Sequence, residues 1–332
     1  MKFRLFWMIV IGLVLASILL FIVQLTSAVS GTSLSPIGGS ASDSAPDSIS
    51  GTESYIDETS KSNANDTGLT PVFFRTISEY GPPEDMKLRI NGTSEPNAVL
   101  TLLSENTRLR QFKSDAAGNW DVVIDIDPDR ALALEIVMFV EGDLSVRGDE
   151  TIYRLPVPNQ GIDTDFKSAA LIMVSAPGGP SRIVQSPFGG SPTNGPLSMG
   201  PIDYDDSGGV ILSGTTEAEG RVRIYAGGEA FGETRVGAGG RWNFIAGNLL
   251  PRGEYPIAAE LIDAEGVKAR VSVPFERLPP SIQGDKSASD LPDAKYEPYR
   301  WQVRRVLVGG GHQTTAIFAP IDADALIVTT EE

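Results

Sequence analysis

The chain contains no cysteine and a single histidine, His312, among 332 residues. Without thiols there can be no disulfide framework, cysteine nucleophile, thiolate metal site or lipid carried on an N-terminal cysteine. One imidazole excludes any site that needs two. Basic residues are also scarce: 27 Lys and Arg face 43 Asp and Glu, for a formal net charge of −16. Nucleic acid is thereby set aside as the main partner, since binding it requires Lys and Arg to displace counterions along a phosphate backbone. Helical periodicity of useful length is missing between Val72 and Pro280.

What is present begins with an apolar run from Leu5 to Val23, interrupted only by Gly12 and Ser17. As a helix rising about 1.5 Å per residue, it covers close to the roughly 30 Å of a bilayer's hydrocarbon, so it can span. A cleaved secretory signal usually has a shorter apolar core and a small-residue cleavage site, which Thr26-Ser27-Ala28 fits only loosely. A retained anchor is expected, with cleavage as the alternative. Lys2 and Arg4 precede the run and no Lys or Arg follows until Lys61. Positive charge then holds the N-terminus in the cytoplasm and everything after residue 24 is exported. The exported part carries the acid, because only Lys2 and Arg4 of the 27 basic residues, and none of the 43 acidic ones, fall in the first thirty positions.

From about Leu25 to Thr70 the chain is built from Ser, Gly, Asp, Thr, Asn and Pro, with twelve serines between Ser27 and Ser62. Such a composition cannot bury enough surface to offset the entropy of ordering it. It reads as a flexible tether with a root-mean-square reach of about 35 to 40 Å.

At Val72 the texture changes to short apolar runs broken by Gly, Pro, Asn and Asp, the signal of antiparallel strands and turns. Leu88 to Ile90, Val99 to Leu103, Trp120 to Ile126 and Leu134 to Val140 are examples, and the pattern returns after Ser168. An internal repeat organises it. Lys87 to Glu95 aligns with Gly209 to Glu217 at an offset of 122, and the same offset places Gly118-Asn119-Trp120 on Gly240-Arg241-Trp242. Leu100 and Leu102 fall on Val222 and Ile224, which preserves the inward face of one strand. Each repeat predicts a strand, a turn, a strand, then a Gly-containing turn that delivers a Trp to the next strand. Trp120 and Trp242 are expected core anchors, because an indole buries a large area and can satisfy its N–H at a strand end.

The pattern Gly-Thr-Ser/Thr-Glu, a strand, then Gly-Asn/Arg-Trp resembles bacterial Ig-like modules of exported envelope proteins, over about Val72 to Pro158 and Ser168 to Leu278. Ile202 to Gly208, Val222 to Tyr225 and Val273 to Arg277 are similar to a family in which such modules precede a C-terminal LysM domain, a small fold that grips N-acetylglucosamine-containing glycans. The tail, Tyr299 to Glu332, resembles the first part of that domain: Arg300 to Val308 stands for a Leu-Trp-x-Ile helix, and Thr314 to Ala319 for a second helix beginning with Thr and Ile. Tyr299, Val303, Val306 and Leu307 also lie at helical spacing. The turn residues before and after differ, Glu297-Pro298 and Ala319-Pro320, and the closing turn and strand are not recognisable, so the resemblance implies a degenerate or truncated LysM. It marks Trp301, Arg304, Arg305, Thr314 and Ile317 as candidate ligand-binding residues.

Other chemistry is thin. Asp203, Asp205, Asp206 and Ser207 before Gly208 suggest a calcium loop, but Gly214 stands where a bidentate Glu belongs, and a solvated turn explains them better. Asp125, Asp127 and Asp129 alternate beside Pro128 as a polar strand exit. His312 follows a glycine triplet, and no nucleophile-elbow motif accompanies it. Lys295, Arg300, Arg304 and Arg305 form a local positive patch that either meets an anionic envelope polymer or pairs internally with the acidic modules.

The expected fold is mainly β: a transmembrane anchor at 1–24, a disordered linker at 25–70, Ig-like sandwich modules at 71–160 and 161–280, and a linker with an α-containing tail at 281–332. The expected protein is a single-pass inner-membrane protein with its bulk in the periplasm or on the cell-wall side. No catalytic residue, metal or cofactor is expected. Its expected partner is peptidoglycan or another envelope glycan through the tail; the alternative is an adaptor that docks envelope proteins on the exposed sheet edges of its modules.

Overall fold

The computed structural model describes residues 68–140, 144–158, 170–176, 178–247, 250–280, 291–307 and 311–320. The expected membrane span and most of the linker lie outside the described residues, as does everything beyond residue 320. The described residues all belong to one compact unit, Glu53–Glu332.

The first module is built from β1 (Phe73–Tyr80), β2 (Lys87–Thr93), β3 (Val99–Ser104), β4 (Thr107–Lys113), β5 (Asn119–Asp125), β6 (Leu132–Val140), β7 (Leu144–Arg147) and β8 (Thr151–Pro156). One sheet runs β1-β2-β5, and the facing sheet runs β4-β3-β6 with β7 and β8 both paired to β6. All pairings are antiparallel, and the alternate residues Leu88, Ile90, Leu100, Leu102, Leu134 and Ile136 meet between the sheets. Two sheets closing over alternating apolar faces form a sandwich of the Ig-like kind.

Next come β9 (Ala170–Ser175), β10 (Arg182–Gln185) and β11 (Thr193–Asn194). The second module repeats the plan with β12 (Leu197–Asp205), β13 (Val210–Thr216), β14 (Arg221–Ala226), β15 (Glu229–Arg235), β16 (Arg241–Ile245), β17 (Gly253–Asp263) and β18 (Gly266–Arg277). Here β16-β13-β12 faces β15-β14-β17-β18. The repeat therefore exists in space: β3, β4 and β5 begin 122 residues before β14, β15 and β16.

Its signature pair explains why Gly and Trp recur together. Gly92 lies directly across from Trp120, and Gly214 across from Trp242. A Cβ at either glycine would run into the indole ring and into the carbonyl of Phe73 or Ser198. The bare backbone lets each indole lie flat over the neighbouring strand, a cross-strand pairing that holds register as well as burying area. Phe74 meets Trp120 edge-on with centroids 5.8 Å apart. Neither Trp120 nor Trp242 bonds its Nε1, so both act through packing and not through the N–H partner expected of a strand end.

Two departures from the sequence reading concern what surrounds the modules. Strands β9 and β10, placed by sequence at the head of the second module, instead extend the first module's sheet in the order β10-β9-β8. The tail is β rather than α: β19 (Asp293–Tyr296), β20 (Arg300–Val306) and β21 (His312–Phe318) add to the second module's sheet, with β21 paired to β12. The helical spacing misleads because β20 is buried on both faces and shows no alternation, while Tyr299 and Val306, half of the supposed helical stripe, are 42% and 56% exposed.

Gly214→Ala is expected to destabilise the chain by about 3 kcal/mol, the upper part of the range for overpacking a core, with Gly92→Ala close behind. Denaturant midpoints read by tryptophan fluorescence check this, and an unchanged midpoint would mean that the Gly–Trp pairs do not hold the register.

Candidate functional site

The predicted ligand-binding residues divide between the two faces of a largely buried hairpin: Trp301, Arg305 and Ile317 on one, Arg304 and Thr314 on the other. In the β20–β21 hairpin Trp301 stands opposite Ile317, and Arg304 opposite Thr314. Trp301, Val303 and Ile317 pack against Ala133, Tyr153, Leu155, Leu171 and Met173 on the outer face of the first module's extended sheet. A third core thus joins the two sandwiches. Trp301 is 0% exposed, and Tyr296 and Phe188 meet its ring edge-on at centroid distances of 4.6 and 6.1 Å.

Beside this core lies a buried polar network. Asp203 of β12, 1% exposed, accepts from the Ser181 N–H (2.7 Å), the Ser181 hydroxyl (2.6 Å) and the Thr315 hydroxyl (2.6 Å). Ser181 and Ser175, whose hydroxyls lie 3.1 Å apart, come from the β9–β10 hairpin, so the network ties the first module's sheet to the second. Arg305 Nη1 donates to Thr315 at 3.2 Å, and its guanidinium sits 5.8 Å from the centre of the Tyr153 ring. Burial pushes the Asp203 carboxyl above the usual aspartate range, against the pull of Ser181, Thr315 and Arg305. Burial also lowers Arg305, against the pull of Asp203 and Tyr153.

The positive patch is spent on internal pairing. Lys295 pairs with Glu276 and Glu297, each at 3.0 Å, and Arg300 with the same two carboxylates, each at 2.9 Å. Arg304 donates to the Pro279 carbonyl at 2.7 Å. In the supposed calcium loop, Asp205 Oδ1 accepts from Ser207, Gly208 and Gly209 at 2.6 to 2.9 Å, an Asx-type turn. Asp206 accepts from the His312 N–H and approaches His312 Nδ1 at 3.1 Å, so it anchors the start of β21. Asp125 pairs with Lys87 at 2.8 Å, and Asp127 caps the Asp129 N–H at 2.9 Å.

One feature escaped sequence reading. A cavity of about 290 Å³ opens where the hairpin meets the first module, lined by Glu105, Asn106, Glu135, Arg147, Tyr153 and Arg305 among others. Its walls come from β6, β7, β8, β9, β20 and the β3–β4 turn, segments up to 200 positions apart, a convergence that no local motif announces.

No family model and no curated protein matches the chain. Among solved structures, the central fibronectin-III array of RIM-binding protein aligns over 74% of this chain and 88% of its own, at 9% identity and a TM-score of 0.23. A Ca2+-stabilised adhesin from an Antarctic bacterium, described as helping it to reach out and bind ice, aligns over 71% and 94%, at 13% identity and a TM-score of 0.19. Superpositions this loose establish no common function.

Because the native Asp203 carboxyl holds its proton to higher pH than the unfolded chain's, its contribution to stability is full below the usual aspartate range and is lost as pH rises through the native value. Asp203→Asn forfeits the bond from the Ser181 N–H, for about 1 to 3 kcal/mol at low pH. The gap to wild type should narrow as pH rises. Denaturation at a series of pH values tests this, and a gap that widens with pH would reverse the assignment.

Proposed function

We propose that the chain is a non-enzymatic interaction protein of the cell envelope, tethered to the membrane by its N-terminal segment, whose paired sandwiches present sheet edges to other proteins. The observation that supports this reading is the burial of Trp301, Arg305 and Ile317 at the module junction, with Thr314 buried on the hairpin's opposite face, so that none of the four lies open to a glycan. Recognition then falls to surfaces that remain open. The clearest is β4, an edge strand whose residues are almost all exposed, including Leu109, and which carries Arg108, Arg110 and Lys113 with no acidic residue. An edge strand offers unpaired backbone groups to an incoming strand, and this one adds positive charge on an acidic chain.

Two experiments on full-length protein test the proposal. Purified cell-wall sacculi should fail to sediment it, and saturable co-sedimentation would restore the glycan reading. A photo-crosslinking residue at position 109 should give discrete protein adducts in envelopes while one at exposed position 265 gives none; equal labelling at both would count against an edge-directed adaptor.

A further inference from the structure

Two of the side chains that line the cavity at the module junction keep buried N–H groups that the fold leaves unmatched. Arg305 is only 5% exposed, yet its Nη2 has no hydrogen-bond partner, and neither does the Nε of Arg147. Both residues line the cavity. A buried N–H without an acceptor forfeits its hydration with no return, so acceptor oxygens are favoured beside it.

A second, independent observation comes from the repeat. The β3–β4 turn is closed by Glu105 and Asn106 at φ 49° and 60°, both in the left-handed region. The corresponding turn between β14 and β15, 122 residues on, is closed by Gly227 and Gly228 at φ 59° and 91°. A turn with two left-handed residues favours glycine, which adopts that conformation without a Cβ clash. The first module keeps two polar side chains where its twin shows that glycine closes the same turn, and both chains line the cavity. Strain retained beside an easier solution in the same molecule points to use of the side chains. Asn106 Oδ1 accepts from Arg147 Nη2 at 2.9 Å, and Glu135 pairs with Arg147 at 2.6 Å. Glu105 has only a loose approach to Arg130, at 4.0 Å.

We propose that this cavity binds a small zwitterion of the α-amino acid class, with its carboxylate received by Arg305 and Arg147 and its ammonium by Glu105 and Glu135. The two guanidinium groups and two carboxylates on the wall, of which Arg147 and Glu135 already pair, cancel in sum, which disfavours an ion of either sign and matches a molecule that carries both. A volume of about 290 Å³ suits a ligand of that size and not a polymer. Arg305 comes from β20 and the other groups from the first module, so the occupant bridges the two modules and strengthens their junction by mass action.

Calorimetric titration of the full-length protein with glycine, alanine and glutamate, set against acetate, methylamine and glucose, tests the proposal. Saturable binding is expected for the amino acids alone, together with a ligand-dependent rise in the melting midpoint. The double substitution Glu105→Gly with Asn106→Gly copies the second module's turn; it should keep or raise the midpoint without ligand while weakening binding at least tenfold. Glu105→Gln, which keeps a side chain at the strained position, should weaken it by a similar factor. A wild-type protein that binds none of the three amino acids holds only water in the cavity, and the proposal fails. It fails equally if acetate or methylamine binds as tightly as glycine, or if the glycine pair leaves binding intact.

Discussion

The arrangement depends on one contact: the outer face of the β20–β21 hairpin pressed against the outer face of the first module's sheet. Each sandwich has its own core, around Trp120 in one and Trp242 in the other. The third core, centred on Trp301, belongs to neither module alone. It forms because the first sheet is extended by β9 and β10 after its sandwich is complete, while the second sheet receives the chain's last three described strands. Both extensions are apolar on the side that would otherwise face water, and each covers the other.

Charge is managed at the same place. Asp203, Ser181 and Thr315 form a closed set of hydrogen bonds across the junction, with Arg305 at its margin. Buried polar groups add little to stability, but they fix one geometry, since any slip of the hairpin along the sheet would strand a carboxylate without donors. The apolar contact therefore supplies the attraction and the polar set supplies the register. The acidic surplus of the chain is partly absorbed here too, by Lys295 and Arg300 against Glu276 and Glu297.

Much of this was legible in the amino-acid order, and the rest was hidden for physical reasons. Strands with one wet face advertise themselves, and Lys87 to Glu95 with Gly209 to Glu217 exposed both the β character and the duplication. The Gly–Trp pairs were visible as spacing because the clash that forbids a Cβ acts across adjacent strands at fixed register. The hairpin was not legible. Between Arg300 and Val306 both faces are buried, so alternation vanishes, and a chance helical spacing of Tyr299, Val303, Val306 and Leu307 took its place. Trp301 and its neighbours resemble a glycan-binding helix in sequence but stand in a buried strand of the hairpin. Nor could spacing reveal the cavity, whose Glu105 and Arg305 are brought together only by the docking of the two modules. The Glu105-Asn106 pair aligned with Gly227-Gly228 was the one available hint.

Everything rests on whether the hairpin is core. Native-state hydrogen exchange at the amides of residues 301–305 and 313–317 reads this directly. If the junction is as described, those amides exchange as slowly as those of β3 and β12 and are released together with global unfolding. Exchange within minutes at these positions, while β3 and β12 stay protected, would show that the hairpin does not bind the modules together.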